Sequence, residues 1–410
     1  MTTRILHSVS NMDRGGIETM LMNYYRHIDR DGVQFDFLCN KNVPGAYDEE
    51  IRQMGGRLFV TPGLNPLKFP AYLRYMEALF REHPDGDSDG WRIIHVHNGA
   101  FGVYALYAAR RAGKGALRPA TEGALRPATE GTLRPATVPH RIFHAHGAGH
   151  TVDFKLPWKW FCKSQLLKNA NHNWACGKAA AEYYFGRKNF LAGNYMLIRN
   201  AIDVNRFKYK EEIRQRIRRQ YGLEGKHVVG HVGRFAKQKN HRFLVNAFRA
   251  LVAGDESESG ALRPATFLVL LGDGELLDSV RWQVQQAGLQ NRVLFAGSVE
   301  NTHEWYQAFD LFLLPSRFEG LPVTGIEAQA AGLPCLFSDN VTPEVRISRQ
   351  VTFLSLKQPL EEWADAMRNL LFIGERHDDS AMITAAGYNI EVEAKKLQDL
   401  YLSMAGDATP

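Results

Sequence analysis

The stretch Pro315-Ser-Arg-Phe-Glu-Gly-Leu-Pro-Val-Thr-Gly-Ile-Glu-Ala-Gln-Ala-Ala-Gly-Leu-Pro334 decides the fold of this chain. It follows an apolar run at 311–314, Leu-Phe-Leu-Leu, that is typical of a buried parallel strand. Two carboxylates come next, Glu319 and, eight residues later, Glu327. Glu319 therefore lies in the loop at the carboxyl end of a strand. In a doubly wound sheet, ligands bind at that edge.

The second half of the same stretch predicts a helix. Pro322 is suited to a helix start because its missing N–H costs nothing there, and Gly332 is suited to the end. Glu327 then falls in about the first turn, on the element that follows the loop. Either glutamate taken alone is explained by a simpler interpretation. Glu319 could be a solvated loop residue, and Glu327 could be favoured by the helix dipole.

The whole segment, however, resembles the Glu-x7-Glu signature of retaining glycosyltransferases of family 4, which have the GT-B fold. The resemblance implies that Glu319 faces the donor sugar at the catalytic centre and that Gly320 and Leu321 offer it backbone amides. It also implies that Glu327 holds the ribose hydroxyls. The spacing suits such a donor, because a nucleotide sugar has two polyol ends and carboxylates are strong acceptors for hydroxyl pairs.

A second loop carries positive charge. The strand predicted at 228–232 is followed by Gly233 and Arg234, and Lys239 and Asn240 precede a helix. A guanidinium and an ammonium beside a helix N-terminus can bind a diphosphate, although any one surface cation is more often simply solvated. The loop resembles the Gly-Arg…Lys-Asn element of the same family. That resemblance implies that Arg234 and Lys239 bind the donor diphosphate.

The strand predicted at 293–297 ends near the base of the nucleotide in this family, which implies that Ser298 and Val299 contact the base. An earlier strand ends in a glycine turn at 272–274, but no GxGxxG is present. A dinucleotide-binding site therefore has little support there.

A glycine pair lies between the first predicted strand, 5–9, and a helix rich in Met, Leu and Tyr. Such a pair lets backbone amides approach a phosphate at the positive end of a helix, but a plain tight turn is the commoner explanation. Family 4 enzymes carry a Gly-Gly loop at this place. The resemblance therefore implies that Gly15 and Gly16 face the diphosphate.

The stretch 141–147 predicts a strand that carries His144 and His146 on one face. The residues alone leave open a core or edge histidine, or a two-histidine metal site for which the spacing supplies no further ligand. No metal is expected. The resemblance implies that His146 lies over the donor sugar and stabilises the reacting centre. His144 and His97 are less suited to that role.

Strands and helices alternate along the chain, which predicts an α/β fold with parallel sheets. The resemblance implies the GT-B arrangement, in which two Rossmann-like doubly wound domains face each other and a carboxyl-terminal helix crosses back to the first. We expect an acceptor-side domain at 1–195, a nucleotide-sugar domain at 196–375 and terminal helices at 376–410. The last strand is predicted at 334–338.

Two insertions interrupt this pattern. Residues 115–137 are three tandem copies of Gly-(Ala/Thr)-Leu-Arg-Pro-Ala-Thr separated by Glu, and a fourth copy spans 260–266. The period is too short for a solenoid, and the prolines prevent a coiled coil. Both sites lie between a helix and the next strand, so we interpret the repeats as surface loops outside the chemistry. A basic recognition tether is the less favoured alternative.

The composition is that of an ordinary soluble enzyme. The chain has 410 residues, 50 basic and 44 acidic side chains, and a formal charge of +6. This mild excess argues against dedicated nucleic-acid binding but permits anionic ligands or a lipid leaflet. The four cysteines lack metal or CxxC spacing, which favours reduced core thiols. The amino terminus leads straight into a strand, so no signal peptide is expected and the predicted location is cytoplasmic.

One segment suggests a membrane surface. Residues 154–168 mix Trp and Phe with Lys, a combination that suits the interface of an anionic leaflet. An amphipathic helix with its aromatics packed inward explains the pattern about as well. The resemblance favours peripheral contact with the inner leaflet, where a lipid-linked acceptor would be met.

Together these features predict a retaining hexosyltransferase that uses a nucleotide-diphosphate sugar, most simply a UDP-sugar, without a cofactor. The acceptor would be a glycan or a polyprenyl-linked sugar in bacterial surface polysaccharide synthesis. A sugar-nucleotide epimerase of the GT-B fold and a non-catalytic nucleotide-sugar-binding protein remain as alternatives. Only the epimerase would convert the donor on its own.

Overall fold

The computed structural model describes residues 2–81, 90–112, 138–147, 156–257, 264–372 and 376–406. The predicted insertion at 115–137 lies outside these residues, as does most of the one at 260–266, so their interpretation as surface loops stays a prediction. The chain divides into two compact units. Unit 1 comprises Met1–Arg199 and Glu391–Pro410, and unit 2 comprises Asn200–Ile390.

Unit 1 is built on a parallel sheet in the order β3-β2-β1-β4-β5-β6-β7. Its strands are β1 (Thr3–Val9), β2 (Val33–Cys39), β3 (Leu58–Val60), β4 (Ile93–Val96), β5 (His140–Ala145), β6 (His172–Ala175) and β7 (Met196–Leu197). Its helices are α1 (Gly16–His27), α2 (Asp48–Gln53), α3 (Phe69–Arg81), α4 (Val103–Ala112), α5 (Leu156–Asn169) and α6 (Lys178–Leu191), with 3₁₀ turns at Pro66–Lys68 and Gly99–Gly102. The strand order reverses between β1 and β4, as in a doubly wound fold.

Unit 2 repeats this design with a parallel sheet in the order β10-β9-β8-β11-β12-β13. Its strands are β8 (His227–Val232), β9 (Thr266–Leu271), β10 (Val293–Gly297), β11 (Leu311–Leu314), β12 (Cys335–Ser338) and β13 (Val351–Leu354). Its helices are α7 (Val204–Phe207), α8 (Glu211–Gln220), α9 (His241–Ser257), α10 (Leu277–Gln286), α11 (Thr302–Ala308), α12 (Val323–Ala330), α13 (Leu360–Leu371) and α14 (Ser380–Ala385), with a 3₁₀ turn at Pro343–Val345. Here the order reverses between β8 and β11.

Strand β11 shows why the sequence folds in this way. All four of its residues are buried. Leu311 and Leu313 pack into the core on one face of the sheet, and Phe312 and Leu314 pack into the core on the other. A strand covered on both faces needs a continuous apolar run rather than an alternating one. The run at 311–314 therefore predicted both the strand and its burial.

The prediction that 334–338 is the last strand is wrong, because β13 follows and pairs in parallel with β12. Strands β6 and β7 were not identified in the sequence either. β13 is only four residues long and mostly half-buried, and β7 has two residues. Such short edge strands carry too little apolar periodicity to be recognised.

The last helix, α15 (Ile390–Gly406), belongs to unit 1 from residue 391 onward. The Tyr401 hydroxyl lies 2.6 Å from Nδ1 of His95 on β4, and the Gln398 side chain accepts from the Asp29 amide at 2.7 Å. The carboxyl-terminal helix therefore returns to the first sheet. Residues 376–390, including α14, group with unit 2, and the first change of unit falls at 199/200.

Candidate active site

The candidate site lies at the carboxyl edge of the unit 2 sheet, where the strand order reverses. The loop after β8, residues 233–240, and the loop after β11, residues 315–322, leave neighbouring strands at that edge. Helix α12 begins directly after the second loop, with Pro322 as its N-cap. Gly332 follows the helix with a φ of 69°, in the left-handed region that glycine favours at helix ends. The predicted helix limits are therefore confirmed.

Backbone and side-chain hydrogen bonds join the two loops. The Arg317 amide donates to the Gln238 carbonyl at 2.8 Å, and Asn240 Nδ2 donates to the Pro315 carbonyl at 3.1 Å. Asn240 has a φ of 58°, a left-handed conformation that asparagine tolerates better than most residues. The turn that ends the first loop is thus fixed against the start of the second.

Glu319 is held by three donors. Its Oε1 accepts from Lys239 Nζ at 2.7 Å and from the Ser316 hydroxyl at 3.0 Å, and its Oε2 accepts from Gln238 Nε2 at 3.0 Å. Only 8% of the Glu319 side chain and 15% of the Lys239 side chain are exposed. A carboxylate has about four lone-pair sites, so roughly one remains for a ligand. The sequence predicted Glu319 and Lys239 on one ligand, and the structure brings them into direct contact.

The residues after Glu319 leave two backbone donors open. Within the described part of the chain, the amides of Gly320 and Leu321 donate to no other group. The Leu321 side chain is buried in the core, so its backbone is fixed in place. The pair can therefore serve a ligand oxygen, and its role toward the donor sugar stays a prediction.

Glu327 lies in the second turn of α12 rather than the first, because the helix begins at Val323. The Tyr306 hydroxyl donates to its Oε2 at 2.8 Å. Burial raises the pKa of Glu327 to about 7, although the Tyr306 hydrogen bond and the charges of Arg206 and Lys239 oppose that shift. Glu327 is a partly exposed carboxyl group whose protonation changes near neutral pH.

Arg234 lies apart from the Lys239–Glu319 pair. Its side chain is 75% exposed and contacts Glu275 at 3.4 Å. The backbone around it packs closely on the turn after β9, where a Cβ added to Gly274 would lie 2.8 Å from the Phe235 nitrogen and oxygen. Gly274 has a φ of 151°, so glycine is required there for both reasons. Arg234 thus projects from a closely packed turn, with its side chain exposed and paired only with Glu275 among the described residues.

Ser298 and Val299, which were predicted to contact the nucleotide base, follow β10, an edge strand of the unit 2 sheet. Ser298 is exposed, and Val299 packs partly against the core. β10 lies three strands from β11, which corresponds to roughly 14 Å at the usual strand spacing. That separation is comparable with the length of a nucleoside diphosphate.

Sequence reasoning missed the groups that hold the two glutamates, namely Tyr306, Ser316 and Gln238. Ser316 lies within the stretch that organises the fold, three residues before Glu319, and that spacing is the only local signal. Tyr306 is on α11 and Gln238 is on the other loop, so only the fold brings them into contact.

In unit 1, Gly15 is the N-cap of α1 and Gly16 is its first residue, as the predicted strand–turn–helix requires. The carboxylate of Glu18 covers this helix N-terminus, since a Cβ added to Gly15 would clash with Glu18 Oε2. Burial raises the pKa of Glu18. A phosphate could approach only if this side chain turned away, so the role of the two glycines stays a prediction.

His146 follows β5 directly, and its Nε2 lies 2.8 Å from Nδ1 of His97. Its Nδ1 is buried and without a hydrogen-bond partner among the described residues. Burial lowers the pKa of His146 to about 3, so the ring is neutral near pH 7. One ring nitrogen of His146 therefore meets another histidine and the other is buried. Its predicted role over the donor sugar stays a prediction.

Helix α5 exposes aromatic side chains. Trp160 is 62% exposed and Phe161 is 52% exposed, while Trp158 stacks on Phe161 with ring centroids 5.0 Å apart. The inward-packing alternative is therefore wrong for these rings. Among the described residues, no helix combines the length and apolar character needed to cross a bilayer.

Comparison with protein-family models gives two matches. Residues 15–201 match the glycosyl transferase 4-like domain, and residues 226–372 match glycosyl transferases group 1. The second match contains both loops of the candidate site and both glutamates.

Relatives cover nearly the whole chain. EpsF of Bacillus subtilis, which its name assigns provisionally to the glycosyltransferases, is 34% identical over 97% of this chain and 96% of its own. The Escherichia coli UDP-Gal:α-D-GlcNAc-diphosphoundecaprenol α-1,3-galactosyltransferase is 23% identical over 95% of this chain and 94% of its own.

The fold is also shared with solved structures. HepE of Anabaena, crystallised in complex with UDP-glucose, has a TM-score of 0.71 at 17% identity and covers 98% of this chain and 99% of its own. The two doubly wound units are therefore those of a GT-B protein. A relative with 34% identity covers nearly the whole chain, and both domain models match. The chain therefore belongs to the group 1, family 4-like glycosyltransferases and is a transferase.

Proposed function

We propose that the protein transfers a hexose from a UDP-sugar to a lipid-linked glycan acceptor, with retention at the anomeric carbon, in surface polysaccharide synthesis. The observation that carries the proposal is the Lys239–Glu319 pair at the reversal of the unit 2 sheet, with Glu327 on the next helix. These groups have the charges and spacing that a nucleotide-diphosphate sugar requires.

The contacts of Glu319 support retention without a covalent intermediate. Three donors already engage this carboxylate, so it is a weak nucleophile with about one lone pair left for a sugar hydroxyl. In the proposed step, the bond from the anomeric carbon to the diphosphate oxygen breaks. The acceptor oxygen bonds to the same face, and its proton passes to the departing diphosphate. Glu319 and the Gly320 and Leu321 amides position the sugar for that step.

The leaving diphosphate needs positive charge. Lys239 has three N–H donors, of which Glu319 takes one, so the ammonium can hold the pair and also donate to a phosphate. Arg234 and the N-terminus of α9 lie on the same loop. We propose that these groups offset the diphosphate charge in place of a donor-bound Mg²⁺ or Mn²⁺. Rates should then be unchanged when either ion is added.

The names of the related proteins guide the choice of donor and acceptor. HepE was crystallised with UDP-glucose, and the E. coli relative uses a UDP-sugar and a diphosphoundecaprenol-linked acceptor. We therefore expect UDP-sugars to raise the melting temperature of this chain more than GDP- or ADP-sugars do.

The donor with the largest shift is then incubated with and without a panel of polyprenyl-diphosphate sugars. Transfer to one of them, with the anomeric configuration read by NMR, supports the proposal. Inversion would contradict retention. Conversion of the donor alone to another sugar nucleotide would favour the epimerase. The absence of both transfer and donor hydrolysis with every UDP-sugar would contradict the proposed reaction.

The exposed aromatic side chains of α5 support a contact with the inner membrane leaflet. Trp and Phe insert at headgroup depth, and nearby lysines attract anionic lipid. Lys168 is exposed at the end of the helix, whereas the ammonium of Lys163 lies over the Tyr183 ring at 3.6 Å. Aromatic insertion is therefore expected to contribute more than charge.

We predict that replacing both Trp160 and Phe161 by alanine reduces binding to phosphatidylglycerol vesicles about a hundredfold or more, because burial of each large apolar side chain is worth about 1.5–3 kcal/mol. Cosedimentation measures the bound fraction. Trp282, which is 63% exposed on α10, provides the control, and Trp282→Ala should bind as the wild type does. Equal binding by the double variant, or no binding by the wild type, would contradict the membrane contact.

A further inference from the structure

Unit 1 contains a cluster of five histidines, which we call the histidine cluster. His7 is on β1, His95 is on β4 and His97 follows it, and His144 is on β5 with His146 directly after. Their rings form a continuous group. The centroids of His144 and His146 are 4.0 Å apart, those of His95 and His97 are 4.2 Å apart, and those of His97 and His146 are 5.1 Å apart. The adjacent parallel strands β1, β4 and β5 bring together residues from three distant parts of the sequence.

Hydrogen bonds account for only half of the ring nitrogens. His7 Nδ1 meets His97 Nε2 at 3.1 Å, His97 Nδ1 meets His146 Nε2 at 2.8 Å, and His95 Nδ1 meets the Tyr401 hydroxyl at 2.6 Å. The remaining nitrogens are buried without a hydrogen bond among the described residues: His7 Nε2, His95 Nε2, His146 Nδ1 and both nitrogens of His144. Of these rings, His144 has one weak interaction, with the Ile198 backbone, which raises the pKa of the imidazole. Buried polar atoms without partners are rare and call for an explanation.

The surroundings of the cluster keep the rings neutral. Burial is the main cause that lowers the pKa of every one of them. Among the described residues, the carboxylate that raises the pKa of His7 is Asp36, and it is already paired with Arg4 and Arg57 at 2.6 and 2.7 Å. Neutral imidazole is the form that binds a metal ion.

The cluster also has the composition of a metal site. One ring nitrogen from each of His97, His144 and His146 lies within 4.8 Å of the others, and His7, His95 and His97 form a second such trio. Three imidazoles and an open position are a known ligand set of zinc, with Zn–N distances of about 2.0–2.1 Å and nitrogens therefore about 3.4 Å apart. The contact of 2.8 Å between His97 and His146 would need to open by roughly half an ångström.

We propose that unit 1 binds one divalent ion of the zinc class through His97, His144 and His146. This trio is favoured over His7, His95 and His97 because His146 is only partly buried, whereas all three members of the other trio are buried. The ion would satisfy a nitrogen of His144 that otherwise has at most the Ile198 backbone as a partner, and it would tie β4 to β5 in place of the direct His97–His146 contact.

The test uses the full chain, first stripped with chelator and then titrated with ZnCl₂. We expect about one ion per chain, a dissociation constant at or below the micromolar range, and a rise in melting temperature that saturates at one equivalent. Co²⁺ added instead of Zn²⁺ should give the visible absorption bands of a tetrahedral site. These readouts do not depend on transferase activity.

His144→Ala should weaken Zn²⁺ binding roughly a hundredfold or more and abolish the Co²⁺ bands. His172→Ala is the matched control, since His172 pairs with His140 at 3.1 Å elsewhere on the same sheet and should leave metal binding unchanged. A wild-type chain that takes up no ion and shows no thermal shift would overturn the proposal whether or not the variants fold. The cluster would then be a neutral hydrogen-bonded chain of imidazoles.

Discussion

Replacing Lys239 by methionine is expected to lower kcat/KM for the donor by about 10²–10³-fold, because one preorganised charged donor at a developing negative charge is worth about that much. Methionine keeps much of the apolar stem that lies across Gly233, where an added Cβ would be 3.1 Å from Lys239 Cε. Steady-state kinetics at varied donor concentration measure the effect. The loss should appear in kcat as well as in KM, since the charge acts on the leaving diphosphate.

Lys237 supplies the control for this variant. It lies two residues earlier in the same loop and is exposed, and Lys237→Met should change kcat/KM by less than about threefold. A Lys239→Met enzyme that retains transfer within threefold of the wild type would remove Lys239 from the site.

The free energy of unfolding distinguishes a structural role of the Lys239–Glu319 pair from a catalytic one. Lys239→Met leaves the buried Glu319 carboxylate with only two neutral donors, which should cost about 1–3 kcal/mol of unfolding free energy. Adding Glu319→Gln to that variant removes the unpaired charge and should recover much of the loss. Transfer should stay low in the double variant. Recovery of activity together with stability would mean that the pair is structural only.

Replacing Glu327 by glutamine is expected to weaken donor binding about a hundredfold, because the amide loses the charge that two ribose hydroxyls require. The effect should depend on pH. The pKa of Glu327 is about 7, so the wild-type carboxyl must lose a proton to bind the donor below that pH. Wild-type affinity should therefore fall up to tenfold per pH unit below 7, whereas the affinity of Glu327→Gln should be weak and flat. Calorimetric titration with UDP between pH 5.5 and 8.5 measures both.

The same substitution should stabilise the chain at high pH. The folded pKa of Glu327 lies above the ordinary value of 4.5, so its contribution to stability is fully present below about pH 4.5 and is lost as the pH rises through 7. Glutamine carries no charge to bury and can still accept from Tyr306. At pH 8 we expect Glu327→Gln to be more stable than the wild type by about 1–2 kcal/mol, after allowance for partial exposure, and near pH 5 the two should differ little.

Glu362→Gln provides the control, because that glutamate is exposed in the first turn of α13. Neither its donor affinity nor the pH dependence of its stability should differ from the wild type. A Glu327→Gln variant that binds UDP as tightly as the wild type at pH 8 would exclude the ribose contact.

The parts of the site that the sequence predicted are those that local signals encode. A fully apolar run identified β11 as a buried strand, and Pro322 and Gly332 marked the limits of α12. These signals act through neighbouring residues and backbone conformation, so they can be recognised without knowing the fold. They located Glu319 and Glu327 at the ligand-binding edge.

The groups that set the chemistry of these glutamates were not predictable in the same way. Tyr306 reaches Glu327 from α11, and Gln238 reaches Glu319 from the loop after β8, about 80 residues earlier along the chain. Two residues that sequence patterns gave the same role, Arg234 and Lys239, differ widely in exposure and contacts. Contact partners of this kind depend on which strands are adjacent, and the crossover connections decide that.

By itself, the sequence determined an α/β fold with parallel sheets, the loops that follow their strands and the residue types available there, because strand burial and helix limits are local properties; the two doubly wound domains were implied by the family resemblance. Only the tertiary structure decided which side chains share an environment. It made Glu319 a fixed and nearly saturated acceptor, raised the pKa of Glu327 toward neutrality and assembled five histidines in unit 1. Burial and charge pairing arise between residues far apart in the chain, so no local pattern encodes them.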